Sequence, residues 1–292
     1  MQGKVCLVTG AHGSMGRVIA ADLARRGATV VLVCRTPDQG EALRLEIAAA
    51  TGNQSIQALS ADLSDQSAIR RLAADFQARF PALHVLINNA GVHVQQRRLS
   101  VDGIELTLAV NHLAWFLLTN LLLDQLKAGA PSRVVNVASE AMADSRSIKI
   151  GRAKPVALDL DDLHSEQHFE PMQVYGRSKL AMVMCGYALA RRLACAGVAL
   201  NALHPGLVGT EIVDDIAPGF AKPFLRLIKR FLLTPEQGAQ MAIFLATAPS
   251  VAATTGKYFI KQAEHRSPAV SYDQNLQERL WLASSTLVGL AP

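Results

Sequence analysis

Tyr175 and Lys179, in the run Tyr175-Gly176-Arg177-Ser178-Lys179, stand four residues apart in a segment of helical character, so their side chains share one face. A phenol with a pKa of about 10 is a poor acid–base group at neutral pH. An ammonium beside it favours the phenolate and brings that pKa towards the working range. Near the start of the chain, Thr9 to Arg17 reads TGAHGSMGR. Its glycines at 10, 13 and 16 allow a tight turn and close backbone approach, and the helix expected next directs N–H groups at a phosphate. The strand that follows this helix ends in Cys34-Arg35, with no carboxylate before Asp38. In a dinucleotide fold an acidic residue there bonds the ribose 2′-hydroxyl, whereas an Arg accommodates a 2′-phosphate, so Arg35 favours NADP(H) over NAD(H) and Arg17 is placed to assist. Taken singly, each feature has a bland alternative: a plain turn, a solvated Arg, a structural Tyr/Lys pair.

Positioning these groups falls to short β-branched runs that alternate with longer helical patterns. Strands are predicted over 4–9, 29–33, 55–59, 83–88, 133–138, 198–203 and 257–260. Helices are predicted over 14–26, 38–50, 65–79, 102–127 and 171–196, with another starting at Thr234-Pro235-Glu236. Such alternation gives parallel strands joined by helical crossovers. The runs VCLVT, VVLV, VLIN and VVNVA are apolar almost throughout, as strands covered on both faces should be. With no repeat and no composition break, the prediction is one α/β domain over 1–292, a doubly wound Rossmann-type fold with a parallel sheet and helices on both faces. Two stretches interrupt the rhythm. Residues 145–171 form a polar, irregular connection, long enough to suggest a functional loop. Residues 213–233 are apolar with interspersed Lys222, Arg226, Lys229 and Arg230, which reads as an amphipathic helix and a candidate lid over a substrate pocket.

In this order the motifs resemble the short-chain dehydrogenase/reductase family over nearly the whole chain. They are the Thr9–Gly16 loop, Asp62-Leu63, Asn88-Asn89-Ala90-Gly91, Asn111, Ser139, the Tyr175/Lys179 pair, and Pro205-Gly206 leading to Thr210. The runs VNHLAWFLLTNLLL, YGRSKLA, LHPGLVGTEI, TPEQGAQ, GKYF and RLWLASSTLVGL are similar to the retinol dehydrogenase-like branch. The resemblance implies an NADP(H)-dependent oxidoreductase acting on a hydrophobic carbonyl or alcohol. The alternatives are a tailoring ketoreductase of polycyclic or polyketide-like metabolites and a non-catalytic NADP(H)-binding regulator. It assigns catalysis to Asn111, Ser139, Tyr175 and Lys179. Cofactor contacts would come from Gly10, His12, Gly13, Ser14, Met15, Gly16 and Arg35. Asp62 and Leu63 would lie at the adenine, and Asn89, Ala90 and Gly91 on the adenosine ribose side. Tyr175 and Lys179 would meet the nicotinamide ribose, with Pro205, Gly206, Val208 and Thr210 flanking the nicotinamide. Ser14 departs from the family's usual Gly, and its hydroxyl could bond or crowd the pyrophosphate. Family members often pair through the helices that carry Asn111 and Tyr175, which implies a homo-oligomer. Unlike membrane-anchored members, this sequence shows no N-terminal anchor.

Composition narrows the partners. The chain has 292 residues, 50% of them hydrophobic and 18% charged, so a sizeable core is expected and wholesale disorder is not. The net charge of +5 is mild and its Arg residues are scattered, which argues against nucleic acid and suits an anionic small molecule. No apolar run is long enough to span a bilayer; weak membrane contact through the basic 222–230 segment is a minor expectation. Cys6, Cys34, Cys185 and Cys195 lack metal spacing and read as reduced core thiols of a cytoplasmic protein. His164 and His168 lie four apart without a third ligand, so no metal is expected.

Overall fold

The computed structural model describes residues 1–146, 152–209 and 232–291. One eight-stranded sheet runs through it in the order β3-β2-β1-β4-β5-β6-β7-β8. Its strands are β1 (Val5–Thr9), β2 (Thr29–Cys34), β3 (Ile56–Ser60), β4 (Val85–Asn88), β5 (Ser132–Val137), β6 (Val198–His204), β7 (Lys257–Ile260) and β8 (Ala263–His265). All pairs are parallel except β7 with β8. The predicted doubly wound sheet is therefore observed, with one added antiparallel edge.

Alternate residues of the strands feed two cores, as a period of two requires. Leu7 and Leu86 face one layer, built on α3 (Gln66–Arg79), α4 (residues 106–128) and α5 (Pro171–Arg192). Cys6 and Val8 face the other, built on α1 (Ser14–Arg25), α2 (Pro37–Thr51) and α6 (Pro235–Thr247). The strand order reverses between β2 and β4, on either side of β1, and this opens a crevice at the carboxyl ends of β1 and β4. Thr9 splints it: its Oγ1 accepts from the Asn89 and Ala90 N–H groups at 3.0 and 3.2 Å and donates to the Ile87 carbonyl at 3.3 Å.

Four differences from the sequence reading follow. The helix predicted from Asp102 starts at Leu106, because the buried Glu105 carboxylate accepts from the Thr107 and Leu108 N–H groups at 2.9 and 2.7 Å and caps it there. This element, α4, comprises Leu106–Leu108, a π-helical Ala109–Leu113, Ala114–Leu121 and Leu123–Ala128. A last helix, α7 (Gln274–Leu287), and the exposed β8 were not predicted. Cys195 is exposed rather than in the core, while Cys6, Cys34 and Cys185 are buried. Among the described residues no helix is long and apolar enough to cross a membrane. Residues 213–231 of the predicted lid and 147–151 of the long loop lie outside the described residues.

His112, in the π-helical turn, is 1% exposed, and its Nε2 meets Ser284 Oγ at 2.8 Å. Burial pushes its pKa from 6.5 down to about 3. Between those values the unfolded chain binds a proton that the folded chain excludes, so this contribution is fully present above the unfolded pKa and is lost as pH falls. His84, whose Nδ1 accepts from the Val5 N–H, is shifted in the same direction, mainly by burial. We expect the melting temperature to drop as pH falls below about 6.5, with His112 contributing up to about 1.4 kcal/mol per pH unit. Thermal scans of a His112→Gln variant should show a shallower acid slope than wild type; identical slopes would remove His112 as a cause.

Candidate active site

The phosphate loop closes because two of its three glycines occupy positions with no room for a side chain. Gly10 sits at φ +61°, and a Cβ there would lie 2.9 Å from Ala90 Cα. At Gly16 a Cβ would meet the Gly10 carbonyl oxygen at 2.2 Å. Gly13 is different: φ is −64° and its nearest conflict is 3.4 Å, so backbone sterics do not demand glycine there. Thr36 and Asp65 cap α2 and α3 through their side chains, whereas no side chain caps α1. Its positive end thus faces the crevice, with half-buried Ser14 at the first helical position.

Around this loop the structure sorts the remaining cofactor candidates. Arg35 is exposed at the end of β2. Arg17 is engaged by Glu46 at 2.5 Å, so it assists only by exchanging that partner. His12 is exposed, and its backbone N–H bonds buried Cys34. Met15 points into the core, its sulfur 3.2 Å from where a Cβ at Gly238 would be, which leaves its backbone alone to face a phosphate. Asp62 accepts from the Ser64 N–H and hydroxyl at 2.9 and 2.7 Å, with half-buried Leu63 beside it. Asn89 Nδ2 donates to the Thr9 and Gly10 carbonyls at 3.0 and 3.1 Å and so joins the loop to the end of β4.

The four predicted catalytic residues come from three elements and meet at the end of the same crevice. Ser139 follows β5 and caps the short 3₁₀ turn Glu140–Met142, its Oγ accepting from the Ala141 N–H at 3.1 Å. Tyr175 and Lys179 project from α5, and Ser139 hydrogen-bonds the Tyr175 phenol. Gly176 makes this approach feasible, since a Cβ there would lie 2.4 Å from the Ala141 carbonyl oxygen. Sequence reasoning missed its role, although it sits inside the Tyr/Lys spacing. Lys179 is 3% exposed and its Nζ donates to the Val137 carbonyl at 2.9 Å, 5.9 Å from the Tyr175 ring centroid. Asn111 lies in the π-helical turn, where π-bulges are often functional. Its Oδ1 accepts from the Val92 N–H at 2.7 Å, and its Nδ2 donates to the Val92 carbonyl and Ser178 Oγ at 2.9 and 3.1 Å. Gly91 lies between the two, 3.4 Å from both Asn111 Oδ1 and Lys179 Nζ when given a Cβ.

The electrostatics differ from the expectation that Lys179 brings the Tyr175 pKa down. Burial dominates and pushes the phenol up to about 12, with the Ser139 hydrogen bond opposing it. Burial likewise pushes Lys179 down to about 8. At neutral pH the site thus holds a neutral phenol, a proton donor, beside a charged but easily deprotonated ammonium.

Pro205 and Gly206 (φ +92°) turn the chain after β6, and Gly206 packs against Leu233, 2.4 Å from where its Cβ would be. Val208 is buried against Gly238 and bridges to Leu233, so its side chain serves the core. Thr210 lies outside the described residues. His204, at the end of β6, is buried, and its Nδ1 accepts from the Glu140 N–H at 3.3 Å. His93 was not singled out in the sequence, since no motif marks it. It is 3% exposed, stands edge-on to Tyr175 at 5.7 Å between ring centroids, and opens a cleft of about 410 Å³. Gln95, Arg146, Lys154 and Glu170 also line that cleft, with ion pairs Asp144–Arg146 and Lys154–Glu170 along it. Its described wall is more polar than the apolar pocket expected from residues 213–233.

A glycine-bounded crevice, an uncapped helix N-terminus and a Ser/Tyr/Lys cluster at its far end fit an anionic dinucleotide lying across the strand ends. The short chain dehydrogenase profile matches residues 4–149, and the enoyl-(acyl carrier protein) reductase profile matches residues 149–261. Human retinol dehydrogenase 11 is 39% identical over 290 residues, covering 99% of this chain and 87% of that protein. Among solved structures, an uncharacterized protein from Mycobacterium paratuberculosis superposes with a TM-score of 0.76 at 29% identity, covering 99% of this chain and 94% of the other. A protein from Beutenbergia cavernae, described as a candidate NAD(P)-dependent gluconate 5-dehydrogenase and solved with NADP bound at low occupancy, gives 0.69 at 28% identity over 89% of this chain and 95% of its own. The chain belongs to the short-chain dehydrogenase/reductase family, in its retinol dehydrogenase-like branch, and is an oxidoreductase that works with a nicotinamide cofactor.

Proposed function

We propose that this protein interconverts a hydrophobic carbonyl and its alcohol with NADP(H), and that Tyr175 handles the proton. The observation that carries this reading is the meeting of Ser139, Tyr175 and Lys179 beside Gly91 at the end of the crevice. The α1 N-terminus with Gly10, Gly13, Ser14 and Gly16 would hold the pyrophosphate, and Asp62 with Asn89 to Gly91 the adenosine side. Lys179 and Tyr175 would hold the nicotinamide ribose, and Pro205-Gly206 would bound the ring. When bound, the reduced nicotinamide supplies the hydride for carbonyl reduction. Tyr175, a neutral phenol, then donates its proton to the carbonyl oxygen. Ser139 Oγ hydrogen-bonds that same oxygen and stabilises its growing negative charge. The Lys179 ammonium stabilises the resulting phenolate, and Asn111 fixes the turn beside it through Val92.

Arg35, with no carboxylate near it in sequence before Asp38, supports NADP(H), as does the NADP in a solved relative. The retinol dehydrogenase relatives support a bulky apolar substrate. The polar cleft beside His93 favours a second reading, a ketoreductase for polycyclic or polyketide-like substrates bearing oxygen functions. Steady-state rates with a retinoid aldehyde and with a hydroxylated polycyclic ketone separate the two.

Three outcomes test this reading. Tyr175→Phe should lower kcat by about 10²- to 10⁴-fold in a reductase assay, and undiminished turnover would exclude Tyr175 as the donor. Arg35→Ala should weaken NADPH about tenfold while leaving NADH unchanged in fluorescence titrations; equal wild-type affinities for the two cofactors would defeat the NADP(H) assignment. Because Lys179 is charged below about 8 and neutral above it, the reduction rate should fall as pH rises through that value. A pH–rate profile that stays level across it would remove the ammonium from the reaction.

A further inference from the structure

The helices that carry Asn111 and Tyr175 are those through which the family resemblance implies pairing with a second chain. Without any second chain, Trp115 and Phe116 are already 3% and 0% exposed. The cover is α7, the helix the sequence reading did not anticipate. Its Trp281 ring meets Phe116 edge-on at 4.7 Å between centroids, and the Arg192 guanidinium lies 4.2 Å from the same indole. Ser284 reaches His112, the residue after Asn111, at 2.8 Å. Glu278 pairs with Arg191 and Arg192 at the far end of α5. The helix therefore spans both the turn that carries Asn111 and the helix that carries Tyr175 and Lys179.

The outward face of α7 is unlike a subunit interface. Its exposed positions, Gln274, Asn275, Glu278, Arg279, Leu282 and Thr286, recur at helical spacing and include a single large apolar side chain. Interface cores are depleted in charge and enriched in aromatic residues. Here the aromatic residue, Trp281, points inward. The apolar faces of α4 and α5 are satisfied within one molecule, and the surface left in their place is polar.

We propose that α7 takes the place of a partner subunit on this face, so that one chain is the complete working unit and the two catalytic helices are braced from within. Trp281 and Ser284 are then positioning residues for the Asn111 turn.

Light scattering tests the first part whatever the substrate. Over about two decades of concentration the wild type should keep the mass of one chain, 31.3 kDa. A twofold mass across that range overturns the proposal. For the bracing role, Trp281→Ala should lower kcat about tenfold by loosening the turn, with NADPH affinity unchanged and activity restored by Trp281→Phe. Ser284→Ala, which removes a single hydroxyl, serves if the larger truncation does not fold, and should lower kcat in the same way. A folded variant with full kcat overturns the bracing role. Loss of mass homogeneity and loss of carbonyl specificity are separate readouts, so this inference and the substrate reading can fail independently.

Discussion

A buried ammonium organises this molecule. Lys179 is carried into the protein by α5 and tied to the Val137 carbonyl at the end of β5. Removing a charge from water is costly unless polar groups replace its hydration, and the lowered pKa of Lys179 is the signature of that cost. Much of the local structure follows from accommodating it. Gly91 lies beside Nζ, where a Cβ would already be in van der Waals contact at 3.4 Å. The Asn111 amide, satisfied by Val92 and Ser178, closes the other flank without adding a charge. The phenol of Tyr175 shares the same dry environment, so it stays protonated and suits donation of a proton.

The backbone supplies the precision that side-chain chemistry needs. Gly176 lets α5 lie directly against the turn after Ser139, which is why the Ser and Tyr hydroxyls can bond. The π-helical turn of α4 puts Asn111 at the Val92 backbone, and Glu105 fixes where α4 begins. On the other side, Thr9 and Asn89 lock the phosphate loop to the end of β4. The cofactor crevice and the reacting end are thus one continuous framework along the carboxyl ends of β1, β4 and β5.

Much of this was legible because it depends on local sequence. Strands covered on both faces are apolar almost throughout, so β1, β2, β4 and β5 could be read directly, while half-exposed β3 was read from its place in the alternation; the motif residues sit at strand ends, where a parallel sheet must place them. The misses have physical reasons. β8 is Ala263-Glu264-His265, all three exposed, with no apolar alternation to betray it. α7 buries Gln277 and Ser284 along with Leu280 and Trp281, which blurs its apolar stripe. The start of α4 depended on a carboxylate cap, Glu105, that is recognisable only once it is seen to be buried. The Tyr175 pKa goes up instead of down because burial, invisible in one sequence, outweighs the Ser139 hydrogen bond. His93 entered the site only through its packing on Tyr175.

The most direct test of the central claim is a crystal structure with NADP(H) and an unreactive analogue of a carbonyl substrate. The account predicts the carbonyl oxygen within about 3.2 Å of both Tyr175 Oη and Ser139 Oγ, and Lys179 Nζ on the nicotinamide ribose. A carbonyl oxygen bound elsewhere in the cleft, or a ribose out of reach of Lys179, would contradict it.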